Sequence, residues 1–229
     1  MKKLPAVFVV LFALSSLAAL AQGTFLKKGQ SGLGFSGSYA ANSSASGATG
    51  TAAAVLGGIF DISFGLGWSS YGSDDLTDLK ATSLSPQLRA HVIKQNSSRS
   101  PVSLSLTVGH ARDNFRSPDL DAAGYTYKAN SIFVSATVSR DVRLTAKSYV
   151  QPYVGLTHTS TTYTLIDELG RMFSDKGGIA SFDLGLPLIY AVSWRTLLVL
   201  QPGLTLNKDA TTFSVSFGLV YVFNRPAAE

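Results

Sequence analysis

The sequence predicts an all-β chain that closes on itself as an antiparallel, up-and-down β-barrel spanning a lipid bilayer, with ten strands. Three observations carry that expectation. Beyond residue 30 the apolar residues recur with period 2 and almost no helical pattern. The face opposite the large apolar residues is Ser, Thr, Gly and Gln with hardly a charge, which makes a poor exterior for a water-soluble sandwich. Charged residues are 14% of the chain, against roughly 25% in a soluble globular domain, so much of the surface is expected not to meet water.

The elements follow in order. The first residues, MKKLPAVFVVLFALSSLAALAQG, combine Lys2 and Lys3 with an apolar run to about Leu20 and a small-x-small site at Ala19 and Ala21. They read as a cleaved signal peptide over 1–21, which leaves 22–229 as one barrel domain. Removing Lys2 and Lys3 from 19 basic residues leaves 17 against 14 acids, a formal charge of +3. The chain has no cysteine, so it carries neither a disulfide nor a lipobox. After the leader no apolar stretch approaches the roughly 18 residues of a spanning helix.

Strands are expected at 32–40, 52–60, 62–70, 83–92 and 102–109 in the first half. The second half supplies 131–139, 149–157, 180–190, 197–206 and 213–223. The clearest early strand sets Val102, Leu104, Leu106 and Val108 against Ser103, Ser105, Thr107 and Gly109. The last sets Phe213, Val215, Phe217, Leu219, Tyr221 and Phe223 against Ser214, Ser216 and Gly218. Alternation alone also fits a soluble sandwich or a lipocalin-like barrel with the apolar face inward. The connections decide for the opposite facing. Those near 60–61, 94–100, 140–147 and 191–196 are tight or modest, while 71–79, 110–127 and 163–177 are longer and polar. Short turns on one side and longer loops on the other are the pattern of a membrane barrel. Lipid satisfies no open sheet edge, so the sheet is expected to close.

Ser216-x-Gly218-x-x-Tyr221-x-Phe223, together with the leader and the whole mature chain, resembles the small outer-membrane β-barrel proteins of Gram-negative bacteria. The C-terminal run is similar to the signal read by the barrel-assembly machinery, and "QPYVGL" (151–156) to the opening of a rising strand. The resemblance implies a bacterial outer-membrane address reached through the periplasm, with both termini periplasmic. Two features depart from the family. Six residues follow Phe223, and Pro86, Pro152, Pro187 and Pro202 fall within expected strands, where a closed barrel has no edge for a missing N–H. Pro152 and Pro202 are expected near the periplasmic rim, and bulges or else shifted strand boundaries at Pro86 and Pro187; an eight-stranded barrel that leaves out 44–62 or one proline-containing stretch is the alternative.

The charges separate by side. On the short-turn side Lys27, Lys28, Lys94, Arg99, Arg140, Arg143, Lys147, Arg195 and Arg225 face Asp61, Asp141 and Glu229, 9 minus 3 or +6. Such a basic rim suits anionic inner-leaflet headgroups, while on the long-loop side Lys80, Arg112, Arg116, Lys128, Arg171, Lys176 and Lys208 face ten acids, giving −3. Lys80, Arg112, Lys128, Lys176 and Lys208 share the lipid-facing parity just above the apolar band, where they would meet lipopolysaccharide phosphates or snorkel. Tyr39, Trp68, Tyr71, Tyr127, Tyr163, Tyr190, Trp194 and Tyr221 are expected to form interfacial girdles. Arg89 and Asp183 are the charges expected in the lumen, as a cross-lumen plug or gate.

No metal cluster, phosphate loop or nucleophile elbow is visible, and no cofactor or nucleic-acid partner is expected. His158 and Ser160 share one strand face with Glu168 downstream, the grouping of an activated nucleophile. It resembles the His-x-Ser of lipid A deacylases, although Thr161 stands where that family has Asn. The expectation is a monomeric, non-enzymatic envelope protein that touches outer-membrane lipids and lipopolysaccharide, with loops for surface interaction. A small solute pore is the alternative, and a lipid A acyl hydrolase the second.

Overall fold

The computed structural model describes residues 25–72, 76–95 and 100–224. The leader with Ala19 and Ala21, Arg99, Arg225 and Glu229 lie outside the described residues. Large side chains alternating with Ser, Thr and Gly build long strands, because a pleated backbone sends successive residues to opposite faces. Ten of them form the wall: β1 (Gly32–Ala41), β2 (Ala45–Leu56), β3 (Phe60–Tyr71), β4 (Leu79–Ile93), β5 (Ser103–Arg116), β6 (Thr126–Ser139), β9 (Tyr153–Ile166), β10 (Met172–Gly185), β12 (Thr196–Asn207) and β13 (Thr211–Val222). Three short strands, β7 (Val142–Arg143), β8 (Ser148–Val150) and β11 (Leu188–Ala191), extend the wall below β9 and β12. The single helix among the described residues, α1 (Pro118–Ala122), sits between β5 and β6.

Each wall strand pairs antiparallel with the next, and β13 returns to β1 from Gly32↔Val222 to Ala41↔Phe213. The barrel is therefore closed with ten strands, and the eight-stranded alternative falls because β2 pairs along its length with both β1 and β3. Most ladders run ten to fourteen residue pairs. The β10–β12 ladder joins only 181–185 to 203–207, five pairs.

Boundaries moved where turn chemistry outweighed periodicity. The second strand lies at 45–56 rather than 52–60, because Gly57 and Gly58 both adopt positive φ (61° and 63°) and Ile59 N–H donates to Leu56 O at 3.1 Å. Only glycine takes two such positions cheaply in a hairpin turn. The expected loops 110–127 and 163–177 are mostly strand, leaving connections at 117–125 and 167–171. Polar outward residues above a membrane obey the same alternation, so polarity alone did not mark the end of the ladder.

The prolines are accommodated in different ways. Pro86 brings no bulge: Leu84↔Arg112 and Gln87↔Gly109 keep one register around it, and only the local ladder lapses. The shift in β4 lies instead between His91 and Ile93. Pro152 and Pro187 separate β8 from β9 and β10 from β11, with Gln151 N–H bonded to Pro187 O at 2.9 Å. Pro202 stays inside β12, and its carbonyl accepts from Leu186 N–H at 3.1 Å.

The facing is as the sequence predicts. Phe35, Trp68, Phe213 and Phe217 are 57–66% exposed on the outside, and Ser63, Ser105, Thr159, Thr205 and Ser216 are buried within. An outward apolar band this continuous is the surface of a barrel in hydrocarbon.

Candidate functional site: an occupied lumen and a cationic outer rim

Inward side chains fill the barrel in three layers. At the end that carries α1, Tyr71, Phe115, Tyr127 and Tyr163 form a ladder across β3, β5, β6 and β9, with successive ring centroids 6.0, 4.6 and 6.4 Å apart. Leu79, Ala81, Ala129, Ile179 and Leu120 of α1 complete this apolar layer. Helix α1 is tied across by Ser117, whose Oγ accepts from Asp119 N–H at 3.2 Å and donates to Thr77 O at 3.0 Å. The three tyrosines expected in a lipid-facing girdle therefore point inward; strand parity, which places Tyr71 with Ser63 and Ser69, held the signal. Tyr39, Trp68, Tyr190, Trp194 and Tyr221 do face outward.

The middle layer is polar. Asp183 accepts from Thr157 Oγ1 at 2.7 Å and from Thr205 Oγ1 at 2.6 Å, so it stitches β9, β10 and β12 together. Arg89 Nε donates to Thr107 Oγ1 at 2.8 Å, and its direct cross-strand neighbour is Asp61. Arg89 and Asp183, expected as a cross-lumen plug, each bond threonines of neighbouring strands. Asp61, expected as a turn charge, is buried and lies 3.1 Å from His91 Nε2. Asp113, also inward, accepts from Ser83 Oγ. Phe133 covers Gly109, where a Cβ would meet its ring at 2.2 Å.

The opposite end of the barrel is closed by the segment just before β1. Phe25 and Leu26 are buried among Val55, Ile189, Val199, Val220 and Val222. Their carbonyls accept from Tyr149 Oη (3.1 Å) and Lys94 Nζ (2.9 Å). Burial lowers the Lys94 ammonium to about 8, against the raising pull of Asp61 and Asp141. Asn224, the first residue after the terminal aromatic, clasps this segment: its Oδ1 accepts from Ser31 N–H and its Nδ2 donates to Gly29 O, both at 2.7 Å. Sequence reading missed Phe25, Leu26 and Asn224, since a contact between segments this far apart in sequence leaves no local period.

Outside, Lys80, Arg112 and Lys176 are exposed and Lys128 half-buried, all on lipid-facing parity as expected. Arg116 joins them directly opposite Lys80. Lys208 does not; it lies in the β12–β13 turn, 3.8 Å from Asp209. Lys27, Lys28, Arg140, Arg143, Lys147 and Arg195 are exposed around the rim at the opposite end. His158 and Ser160 face outward as expected, but their cross-strand neighbours are Val134 with Ala180 and Ile132 with Gly178. Glu168 packs against Gly124 beyond the far end of β9 rather than beside His158. Among the described residues no three metal-ligating side chains converge. In the final strand Ser216 and Gly218 point inward, and Tyr221 and Phe223 outward with ring centroids 5.9 Å apart.

This architecture is similar to the translocator domain of autotransporter NalP from Neisseria meningitidis, with a TM-score of 0.62 and 14% identity over 97% of this chain and 98% of that one. It is also similar to the β domain of the Bordetella autotransporter Brka (0.52, 13%, 86% of this chain and 100% of that one). The transport unit of AIDA-I from Escherichia coli is a third (0.51, 8%, 95% and 97%). No family model and no curated protein matches the sequence. At these identities the likeness is one of fold. With the outward apolar band it makes the chain an outer-membrane β-barrel of the Gram-negative type.

Proposed function

We propose that this outer-membrane β-barrel is a closed, non-enzymatic monomer that acts through its extracellular surface. The observation that carries the reading is the doubly capped lumen, with the aromatic ladder at one end and Phe25–Leu26 at the other. The similar structures are named as translocator and transport units, but a lumen occupied by its own side chains argues against passage of a chain here. A surface role is supported by the β9–β10 hairpin, whose tip exposes Leu169, Met172 and Phe173 (79, 69 and 58%) above the wall. An exposed apolar tip in water is the kind of surface that seats a partner. Ser216, Gly218, Tyr221 and Phe223 serve, in this reading, as the contact for the barrel-assembly machinery during biogenesis.

Planar-bilayer conductance of the refolded mature chain tests the closed lumen. Silence is the expected outcome from the wild type and from a Phe25→Asp, Leu26→Asp variant, since the aromatic ladder still closes the other end. Steady channels from the wild type overturn the reading in favour of a pore.

A further inference from the structure

Five cations stand on the lipid-facing side of β4, β5, β6 and β10, just above the apolar residues of the same strands: Lys80, Arg112, Arg116, Lys128 and Lys176. Their arrangement is tight. Asn114 lies between Arg112 and Arg116 on β5, and Lys128 is its direct cross-strand partner on β6. Strand spacing and rise therefore put the Lys128 Cα about 8 Å from that of each arginine. Lys80 faces Arg116 from the other side. Lys176 shares the row of Arg112 through Asn130 and Thr162.

No outward position on β4, β5, β6, β9 or β10 carries an acid; Asp113, Asp175 and Asp183 all have inward parity. One carboxylate reaches the group from a turn, Asp78 to Lys80 at 2.6 Å. Like charges gathered at a membrane boundary repel and resist desolvation unless anions come with the lipid. Guanidinium forks match phosphate in particular, by paired hydrogen bonds. The outward residues around them, Asn114, Asn130, Ser160, Thr162 and Thr164, are uncharged donors and acceptors suited to sugar hydroxyls.

We propose that Arg112, Arg116 and Lys128, flanked by Lys80 and Lys176, form a binding site for a phosphorylated glycolipid of the outer leaflet. Phosphate is held by the three central cations, sugar hydroxyls by the asparagines and threonines, and the acyl chains lie along Leu84, Val108 and Ile132 below. The site rests on the reading that this end of the barrel faces the cell exterior. It is independent of whether the lumen conducts, so failure of the bilayer test leaves it standing.

The test is native mass spectrometry of the folded mature chain in detergent, titrated with bisphosphorylated lipid A, its dephosphorylated form, phosphatidylglycerol or inorganic phosphate. Bisphosphorylated lipid A is expected to bind, with dephosphorylation or the Arg112→Gln, Arg116→Gln, Lys128→Gln triple variant weakening it by about tenfold or more. Lys208→Gln should leave binding unchanged. Folding of each variant is checked by heat-dependent gel mobility; if the triple variant fails to fold, Arg112→Lys, which keeps the charge and loses the fork, replaces it and is expected to weaken binding. Equal binding of phosphatidylglycerol, or undiminished binding by the folded variants, overturns the proposal. Displacement of the lipid by millimolar inorganic phosphate would do so too, by assigning a free-phosphate site.

Discussion

The barrel wall has two unlike halves. Strands β12, β13, β1, β2 and β3 are ten to twelve residues long, and no outward position on them carries a charge. Strands β4, β5, β6, β9 and β10 are fourteen or fifteen residues long and carry the cationic patch. A tilted spanning strand needs about 9–11 residues, so the first half little more than spans, while the second stands clear by about 10–15 Å. Their turns at the α1 end differ in kind. In the short half, Asn42 Oδ1 accepts from Ser44 and Ala45 N–H, and Asn207 Oδ1 from Asp209 and Ala210 N–H, all at 2.8 Å. Side-chain capping of that sort closes a turn in three residues. In the tall half the connections carry α1 and the apolar hairpin tip, and the aromatic ladder props them from inside. Height, charge and internal packing thus go together, because a wall extending beyond lipid must find its own core and its own solvation.

The halves are also joined unequally. At β3–β4 the ladder runs twelve pairs, whereas at β10–β12 it runs five. Leu186 turns its N–H toward β12, so alternate residues above it, including Ser174, Lys176 and Gly178, direct their backbone groups to the open side of β10. Lys176 and the Gly177-Gly178 pair are residues that discourage edge-to-edge association.

The sharpest way to break the comparison is to move charge between the walls. Leu66→Arg, mid-band on β3, is expected to cost about 3 kcal/mol, whereas Thr162→Arg, in the row of Arg112 and Lys176, costs under about 1 kcal/mol. Urea unfolding in lipid vesicles reads both, and equal costs would mean that the two walls sit in one environment. A smaller loss is expected at the five-pair junction. Asp183→Ala removes two hydrogen bonds to a carboxylate and should destabilise by about 2 kcal/mol, with faster amide exchange confined to 181–185 and 203–207. Uniform exchange would show that the junction is no weaker than the rest.

The smallest effect belongs to the foot of the tall wall. Burial lowers Lys94 to about 8, below its value in the unfolded chain, so above pH 8 the unfolded state binds more protons than the folded one. Stability should rise modestly from pH 8 toward the ordinary lysine range and level off beyond it. Lys94→Met should flatten that slope; an unchanged slope would assign the titration to another group.

Much of this was legible from residues alone, for a definite reason. Parity is a local property of a pleated chain, so Phe213, Val215 and Phe217 had to share a face with Leu219, and Ser216 and Gly218 the opposite one. The outward cations at Lys80, Arg112, Lys128 and Lys176 followed from the same count. It also shows inward parity for Asp61, Tyr71, Tyr127 and Tyr163, although loop-like composition nearby led to the opposite assignment. Strand ends were less legible, since Gly57-Gly58 and Asn42 overrode the hydrophobic pattern through backbone conformation and side-chain capping.

By itself, then, the sequence determined a membrane barrel with a greasy exterior and outward-facing cations, because period 2 and charge are carried residue by residue. Only the tertiary structure decided what fills the lumen. Asp61 beside Arg89, Asp183 between Thr157 and Thr205, and Phe25 and Leu26 clasped by Asn224 all depend on register and on the closure of β13 against β1. Closure brings together residues up to 195 positions apart, and no local pattern encodes a distance of that kind.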